Sequence, residues 1–492
     1  MLTLGELAAI QVAGDSSMPA IVPGVSAGGD TPILAVTHDS RTADDGTLFA
    51  CLRGASFDGH EFASRAADAG AVALLVDHEL PVERSGGLPQ LIVQDTRARL
   101  GPLASAVAGH PSTALTTVGI TGTNGKTTTA AMIAAIFEAN GWHTGVLGTL
   151  SGTRTTPEAP ELQQRLARFV DDGYDATVLE VSSHALALNR VDGTRFDAVV
   201  FTNLGRDHLD LHGSQEQYFR AKATLFSPHF SGLAVINVDD SHGSLLADTL
   251  GRSANDGRHG LRVVEVSAHD LDDIRVTATS HSYRWRNRRV DVPIGGEFNV
   301  ANSQTALVTA TELGISPDVA IDGLRALTTI AGRFEHVETE PAHGFDVVVD
   351  YAHTPDGLEE LIASGRHAVV DGASVIVVFG CGGERDQAKR PEMGAVASAN
   401  ADRVVVTTDN PRREDPQRII DDILAGVREP HRAHVTSRVD RREAIDEALT
   451  AAALGDIVLI AGKGHEVHQD LGVRTIDFDD RRVAASLLED RT

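Results

Sequence analysis

The stretch VGITGTNGKTTT at residues 118–129 constrains this chain most. A β-branched run, Thr116, Thr117, Val118 and Ile120, breaks at Gly122 and Gly125, and an Ala-, Met- and Ile-rich run follows. The pattern predicts a strand, a glycine turn and a helix over 128–139. Glycines let backbone N–H groups turn inward on an anion, and a helix N-terminus adds partial positive charge there. That is the layout of a phosphate-binding loop, in which Lys126 reaches terminal phosphates and the Thr127 hydroxyl holds Mg²⁺. The general pattern has glycine five residues before Gly125, where this chain has Ile120. The shorter Gly-Thr-Asn-Gly-Lys-Thr form belongs to a narrower group of ATP users. A glycine-rich turn with a solvated lysine is the alternative.

Size and charge narrow the class. At roughly 150 residues per domain, 492 residues suggest three domains. A formal charge of −26 argues against a nucleic-acid partner and against an anionic membrane surface. Two cysteines, Cys51 and Cys381, make no disulfide framework, so a reducing cytoplasm is expected. The N-terminal MLTLGELAAI lacks the basic start and long apolar core of a signal peptide, and no apolar run reaches the ~18 residues of a membrane span. With 47 glycines and 42% hydrophobic residues, the composition is that of a soluble α/β enzyme.

Three blocks follow along the chain. Residues 1–111 carry Asp39-Ser40-Arg41 and Phe57-Asp58-Gly59-His60, then a helix pattern over 61–69 and a buried strand over 71–76, suggesting a small N-terminal α/β domain. On pattern alone, Asp39-Ser40-Arg41 reads first as a turn cap with a surface ion pair. Residues 112–333 hold the glycine loop and read as a central P-loop ATPase-like domain with a parallel sheet. A strand over 176–179 ends in Glu180, at the sheet edge where ligands bind, which makes Glu180 a candidate Mg²⁺ ligand. A strand over 197–201 leads to Asp207-His208-Leu209-Asp210, three acids or imidazoles within four residues, suited to a metal or phosphate site. Lys222, in a helix over 214–226, reads alone as an ordinary helical lysine. Residues 241–292 carry little signal beyond some β alternation. Residues 334–492 show strands over 346–350, 374–379, 401–407 and 456–460, each followed by a polar loop, and helices over 355–368 and 441–453. That is a Rossmann-like C-terminal domain, without a GxGxxG nicotinamide fingerprint.

Taken together, these motifs resemble the Mur ligase family from Asp39-Ser40-Arg41 to Gly462-Lys463-Gly464-His465-Glu466, and within it the members that add the third residue of the peptidoglycan stem peptide. The resemblance implies an ATP-dependent enzyme and assigns roles by position. Gly122, Thr123, Asn124, Gly125, Lys126, Thr127 and Thr128 match ATP-phosphate contacts, and Asn302, Arg333 and Asp350 match positions around the nucleotide. Thr127, Glu180 and His208 match Mg²⁺ ligands. Lys222 matches a lysine carbamylated in the family, which would serve a second Mg²⁺; Lys126, Lys222 and His208 are the implied catalytic set. Ser40 matches a contact to the uridine end of the acceptor, and Thr155, Thr156, Ser182 and Arg190 match contacts to the UDP-sugar peptide. Arg385, Asp409, Asn410, Pro411, Arg412, Gly462 and Glu466 match contacts to meso-diaminopimelate. Independently, an arginine fork suits that substrate's distal carboxylate and Glu466 its ammonium. Gly205, Ala331 and Leu188 depart from common family residues.

The implied reaction joins meso-diaminopimelate to UDP-MurNAc-L-Ala-D-Glu through an acyl phosphate, in the cytoplasm, by a monomer that needs neither nucleic acid nor membrane. A lysine-adding or folyl-polyglutamate-type ligase is the nearest alternative. A nucleotide-binding regulatory protein that lost the chemistry is a second.

Overall fold

The computed structural model describes residues 1–10, 20–22, 28–54, 57–152, 154–207, 209–255, 260–338 and 343–491. His208 lies outside them.

Three sheets organise the chain. The first runs Ala20–Val22, Gln90–Ile92, Ala71–Val76, Thr47–Ala50, Ala35–Thr37, parallel except at the first pair. The second is fully parallel: Arg262–Val266, Leu233–Asn237, Ala198–Phe201, Thr116–Thr121, Ala176–Glu180, Thr144–Leu147. The third runs Glu335–Val337, Asp346–Asp350, Ile457–Ala461, Val375–Phe379, Arg403–Thr407, Val435–Arg438, parallel except for the antiparallel Glu335–Val337 edge.

The second sheet positions the glycine loop. Its first strand, Thr116–Thr121, lies in the middle; later strands add on one side and then the other. Chain direction therefore diverges beside Thr116–Thr121, and a crevice opens at its carboxyl end, where ligands bind in such sheets. Both faces of the sheet are covered. Val118 and Ile120 pack with Ile133, Ile136 and Phe137 of the helix Lys126–Ala139, together with Ala306, Leu307 and Leu324. Leu179, Val199 and Phe201 pack on the opposite face with Leu162 and Leu166. Strands buried on both faces explain the continuous apolar runs.

Several elements differ from the sequence expectation. The loop helix begins at Lys126 rather than 128, because Gly125 takes the left-handed cap position (φ 84°). The first turn of the 61–69 segment is a 3₁₀ helix, Gly59–Phe62, followed by Ala63–Asp68. The low-signal stretch holds a helix, Ser241–Asn255, the sixth strand of the second sheet, and an antiparallel sheet of Leu271–Val276, His281–Trp285 and Arg288–Val292. Its strands are rich in arginine, aspartate and histidine, and the outer face of an antiparallel sheet tolerates those residues in water. No described helix is long and apolar enough to cross a membrane.

Candidate active site

The glycine loop is built around two lysines. Gly122 adopts φ +153°, and a Cβ there would lie 1.8 Å from the Thr202 Oγ1, so only glycine fits. The Lys126 Nζ donates to the carbonyls of Gly122 (2.8 Å) and Thr123 (2.9 Å). The Lys222 Nζ donates to the same Gly122 oxygen at 2.7 Å. Lys222 is 1% exposed and lies 4.6 Å from the Tyr218 ring centre, so the reading of an ordinary helical lysine is corrected: the helix Gln215–Ala223 buries that face. Burial lowers the pKa of both amines, and each is pushed further by neighbouring cations, Arg333 for Lys126 and Lys126 for Lys222. The end of the adjacent strand fixes the loop: Thr123 and Asn124 N–H groups donate to the Asn203 carbonyl (3.0 Å) and Asn203 Oδ1 (2.9 Å).

Glu180 faces the loop from the neighbouring strand end, 1% exposed. Its carboxylate accepts the Thr127 hydroxyl (3.0 Å), the Thr149 N–H (2.9 Å) and the Thr149 hydroxyl (3.1 Å). The Thr127 oxygen in turn accepts Arg333 Nη2 at 3.0 Å, and the Arg333 guanidinium lies over the Tyr351 ring at 4.6 Å. Asp350 accepts the Phe334 and Ala352 N–H groups, each at 2.7 Å, while burial raises its pKa. Asn302 supports the loop from beneath: its Oδ1 is 3.4 Å from the Thr129 hydroxyl and would lie 2.4 Å from a Cβ at Gly125. A cavity of about 230 Å³ opens here, lined by residues 123–128 with Thr155, Glu180, Ser182, Arg333 and Asp350.

A hydroxyl and a buried carboxylate 3.0 Å apart are hard oxygen donors. They fit Mg²⁺, which keeps several waters and takes one or two carboxylates plus phosphate oxygens. The one three-residue His/Asp cluster of ligand spacing among the described residues, His60, Asp77 and His78, lies in the N-terminal sheet region instead.

A second cavity, about 270 Å³, opens at the carboxyl edge of the third sheet. Arg385, Asp409, Asn410, Arg412, Gly462 and Glu466 all line it, whereas Pro411 does not. Asn410 Nδ2 donates to Glu466 Oε2 at 2.8 Å, and Arg412 Nη1 donates to the Gly383 carbonyl at 2.6 Å. Sequence reasoning missed Lys463, which is 0% exposed; its ammonium bonds Glu466 Oε2 (3.1 Å) and the His468 carbonyl (2.6 Å). It stood in plain view inside the Gly-Lys-Gly-His-Glu motif, but nothing in the residue types signals burial. Also missed were Asp207, Tyr351 and His353 as a group: these three line both cavities.

Ser40 is set apart from these residues. It lines a wide cavity of about 1200 Å³ together with His38, Arg65 and Arg154. Asp39 and Arg41 form the surface ion pair of the alternative reading, with Nη2–Oδ2 at 2.6 Å and Arg41 73% exposed. Thr156 is buried and its hydroxyl donates to the Glu180 carbonyl (2.8 Å), with Ser182 Oγ 3.2 Å away. Ser182 also caps the helix Ser183–Ala187. Arg190 pairs with Glu158 (2.8 Å), a carboxylate that also faces Arg97 and Arg154.

Family models match the three regions in order: Mur ligase family, catalytic domain over 32–107; Mur ligase middle domain over 120–310; and Mur ligase, glutamate ligase domain over 332–464. A relative from Thermosynechococcus vestitus, named UDP-N-acetylmuramoyl-L-alanyl-D-glutamate--2,6-diaminopimelate ligase, is 41% identical over 472 residues, covering 93% of this chain and 94% of its own. The chain belongs to the Mur ligase family. A Gloeobacter violaceus Mur ligase of the same name is 43% identical over 475 residues, covering 94% and 95%. Among solved Mur ligases, a structure named for that diaminopimelate ligase superposes with a TM-score of 0.68 at 31% identity, covering 100% of this chain and 99% of that one. The MurF ligase from Thermotoga maritima in complex with ADP shares the fold, with a TM-score of 0.62 at 20% identity over 94% and 99%. Mur ligases are ATP-dependent amide ligases of peptidoglycan synthesis.

Proposed function

We propose that this chain joins meso-2,6-diaminopimelate to the D-glutamate side chain of UDP-MurNAc-L-Ala-D-Glu at the expense of ATP, as a cytoplasmic monomer. Domain boundaries near residues 111 and 333 are part of the same reading. The observation that carries it is that six of the expected amino-acid contacts line the second cavity, which brings Arg385 and Arg412 together with Asp409 and Glu466 and shares a wall with the glycine-loop cavity. Two cations and two carboxylates suit the zwitterionic distal centre of diaminopimelate, whereas lysine offers no carboxylate for the arginines.

The acceptor carboxylate attacks the γ-phosphorus of ATP, the bond to ADP breaks, and an acyl phosphate forms. Two anions must meet in that step. Lys126 supplies positive charge where they meet, and the loop N–H groups hold the phosphates still. Thr127 and Glu180 would hold Mg²⁺, which when bound neutralises phosphate charge. Arg333, fixed against the Tyr351 ring and Thr127, and Asp350 flank the nucleotide side. The buried, cation-crowded Lys222 favours a free amine, the form that carbamylation requires; a second Mg²⁺ rests on that modification. The diaminopimelate amine then attacks the acyl carbon and phosphate departs.

A phosphate-release assay with UDP-MurNAc-L-Ala-D-Glu, ATP and a panel of amino acids tests the reading. Turnover should be highest with meso-diaminopimelate. Preferential turnover of lysine would overturn the substrate assignment, and ATP binding without ADP formation on any substrate would overturn the enzyme.

A further inference from the structure

The two cavities meet at His353. One belongs to the glycine loop and the other to the carboxyl edge of the third sheet, and Asp207, Tyr351 and His353 line both. An acyl phosphate made on one side and an amine bound on the other must react across that shared wall. His353 is the residue there whose chemistry suits proton removal, and its geometry is set. Its Nδ1 lies 2.8 Å from the Tyr351 carbonyl. A carbonyl only accepts, so Nδ1 carries the hydrogen and Nε2 keeps its lone pair. Nε2 has no hydrogen-bond partner among the described residues, and it is not among the buried orphaned atoms. The backbone is pinned as well, since Lys389 Nζ donates to the His353 carbonyl at 2.8 Å and Thr354 caps the helix Pro355–Ala368.

We propose that His353 is the general base of the second half-reaction, accepting at Nε2 the proton that the attacking amine sheds as it becomes an amide. The proposal rests on the ligase reading above. The incoming ammonium loses its first proton to solvent. The free amine's lone pair then forms the C–N bond at the acyl carbon. His353 Nε2 takes the second proton from the tetrahedral adduct, the C–O bond to phosphorus breaks, and phosphate leaves with the electron pair. The imidazolium returns its proton to solvent.

Electrostatics keep the base available. Burial pushes the ring's pKa down to about 4, with Lys389 and Arg333 adding to the effect and Asp207 opposing it. The ring is therefore neutral before substrate arrives. An anionic acyl phosphate against this wall raises its proton affinity at the step that needs it.

The test is His353→Asn, whose amide can still donate to the Tyr351 carbonyl but offers no comparable base. Two rates are compared in wild type and variant: amide formation with meso-diaminopimelate, and acyl-phosphate formation without it, read by borohydride trapping of the intermediate in a single turnover. General-base catalysis is worth ~10²–10⁴-fold. Amide formation should fall by at least ~10²-fold, with the KM for ATP and the rate of acyl-phosphate formation each within ~3-fold. An equal fall in both rates would make His353 a structural residue and overturn the proposal, as would an unchanged amide rate. Wild-type enzyme that forms no amide with meso-diaminopimelate would instead refute the ligase reading itself.

Discussion

Replacing Lys126 with alanine tests the electrostatic core of the site. The Lys126 and Lys222 Nζ atoms share the Gly122 oxygen at 2.8 and 2.7 Å, so they lie no more than about 5.5 Å apart. At an effective dielectric constant near 20, two unit charges at that separation repel by about 3 kcal/mol. The loop therefore disfavours protonation of both amines at once, in keeping with a free amine at Lys222, and a phosphate relieves that cost. A single lysine charge ~4 Å from a transferring phosphoryl oxygen is worth about 4 kcal/mol on the same scale, close to 10³-fold in rate. Lys126→Ala should lower kcat by 10²–10³-fold. The fold should survive, because the Gly122 carbonyl keeps Lys222 and removing one cation eases the other. Steady-state ADP formation with all three substrates, alongside thermal unfolding, measures both. A variant that stays folded with kcat within ~5-fold of wild type would refute the reasoning.

Three further outcomes are expected. Arg412→Ala removes a charged donor from the second cavity and should raise the KM for meso-diaminopimelate by ~10–100-fold, the scale of a charged hydrogen bond of ~1.5–3 kcal/mol, while narrowing the preference over lysine; unchanged discrimination in the amino-acid panel would contradict it. At Gly332, φ is +63° and a Cβ would lie 2.0 Å from the His465 backbone nitrogen, so Gly332→Ala must push residues 464–465 back along with Glu466, costing ~10²-fold in kcat by misplacement; a fully active variant would show the contact to be slack. His281 is buried between the Ile294 carbonyl and the Ser303 hydroxyl, and burial depresses its pKa from 6.5 to about 4. A depressed histidine makes the unfolded state bind the extra proton between those values, so its contribution is complete above pH 6.5 and falls by up to about 3 kcal/mol as pH drops toward 4. His281→Asn should flatten the acid limb of melting temperature against pH, and an unaltered slope would exclude His281 as its source.

The parallel sheets were legible because strands buried on both faces must be continuously apolar, and the runs at 176–179 and 346–350 say so directly. The Glu180 site was legible for a related reason: a carboxylate that ends such a strand has to face the ligand edge. Residues 241–292 were opaque because an antiparallel sheet with a wet face carries arginine, aspartate and histidine, as in Arg288–Val292, which looks like loop. Lys222 and Lys463 were misread or overlooked for one reason. A lysine's burial depends on everything that packs around it: Tyr218 and Glu466 lie within four residues of Lys222 and Lys463, but the Gly122 carbonyl and Asn410 that complete the two sites are far away in sequence and leave no pattern. The junction of Asp207, Tyr351 and His353 was invisible in the same way, since it exists only where two sheets meet.

That meeting is held by contacts of modest strength. Arg333 reaches Thr127, the Arg206 N–H donates to Asp356 Oδ2 at 2.6 Å, the Arg206 guanidinium pairs with Glu392, and Asn124 approaches Glu360 Oε2 at 3.4 Å. The Arg206 and Glu392 side chains are 37% and 42% exposed, and exposed ion pairs contribute ~0–1 kcal/mol. These polar contacts gain little from closing on their own, and Phe298 packed edge-on against Phe334, with ring centres 5.8 Å apart, adds an apolar contact. An acyl phosphate, however, must be kept from water until an amine arrives. The arrangement answers that need: the loop and the amino-acid cavity belong to different sheets, so the wall that both share is complete only when they are apposed. Binding energy from the nucleotide at Thr127 and Arg333, and from the amino acid at Arg385 and Arg412, can then supply what the weak interface lacks, tying protection of the intermediate to the presence of the groups that consume it.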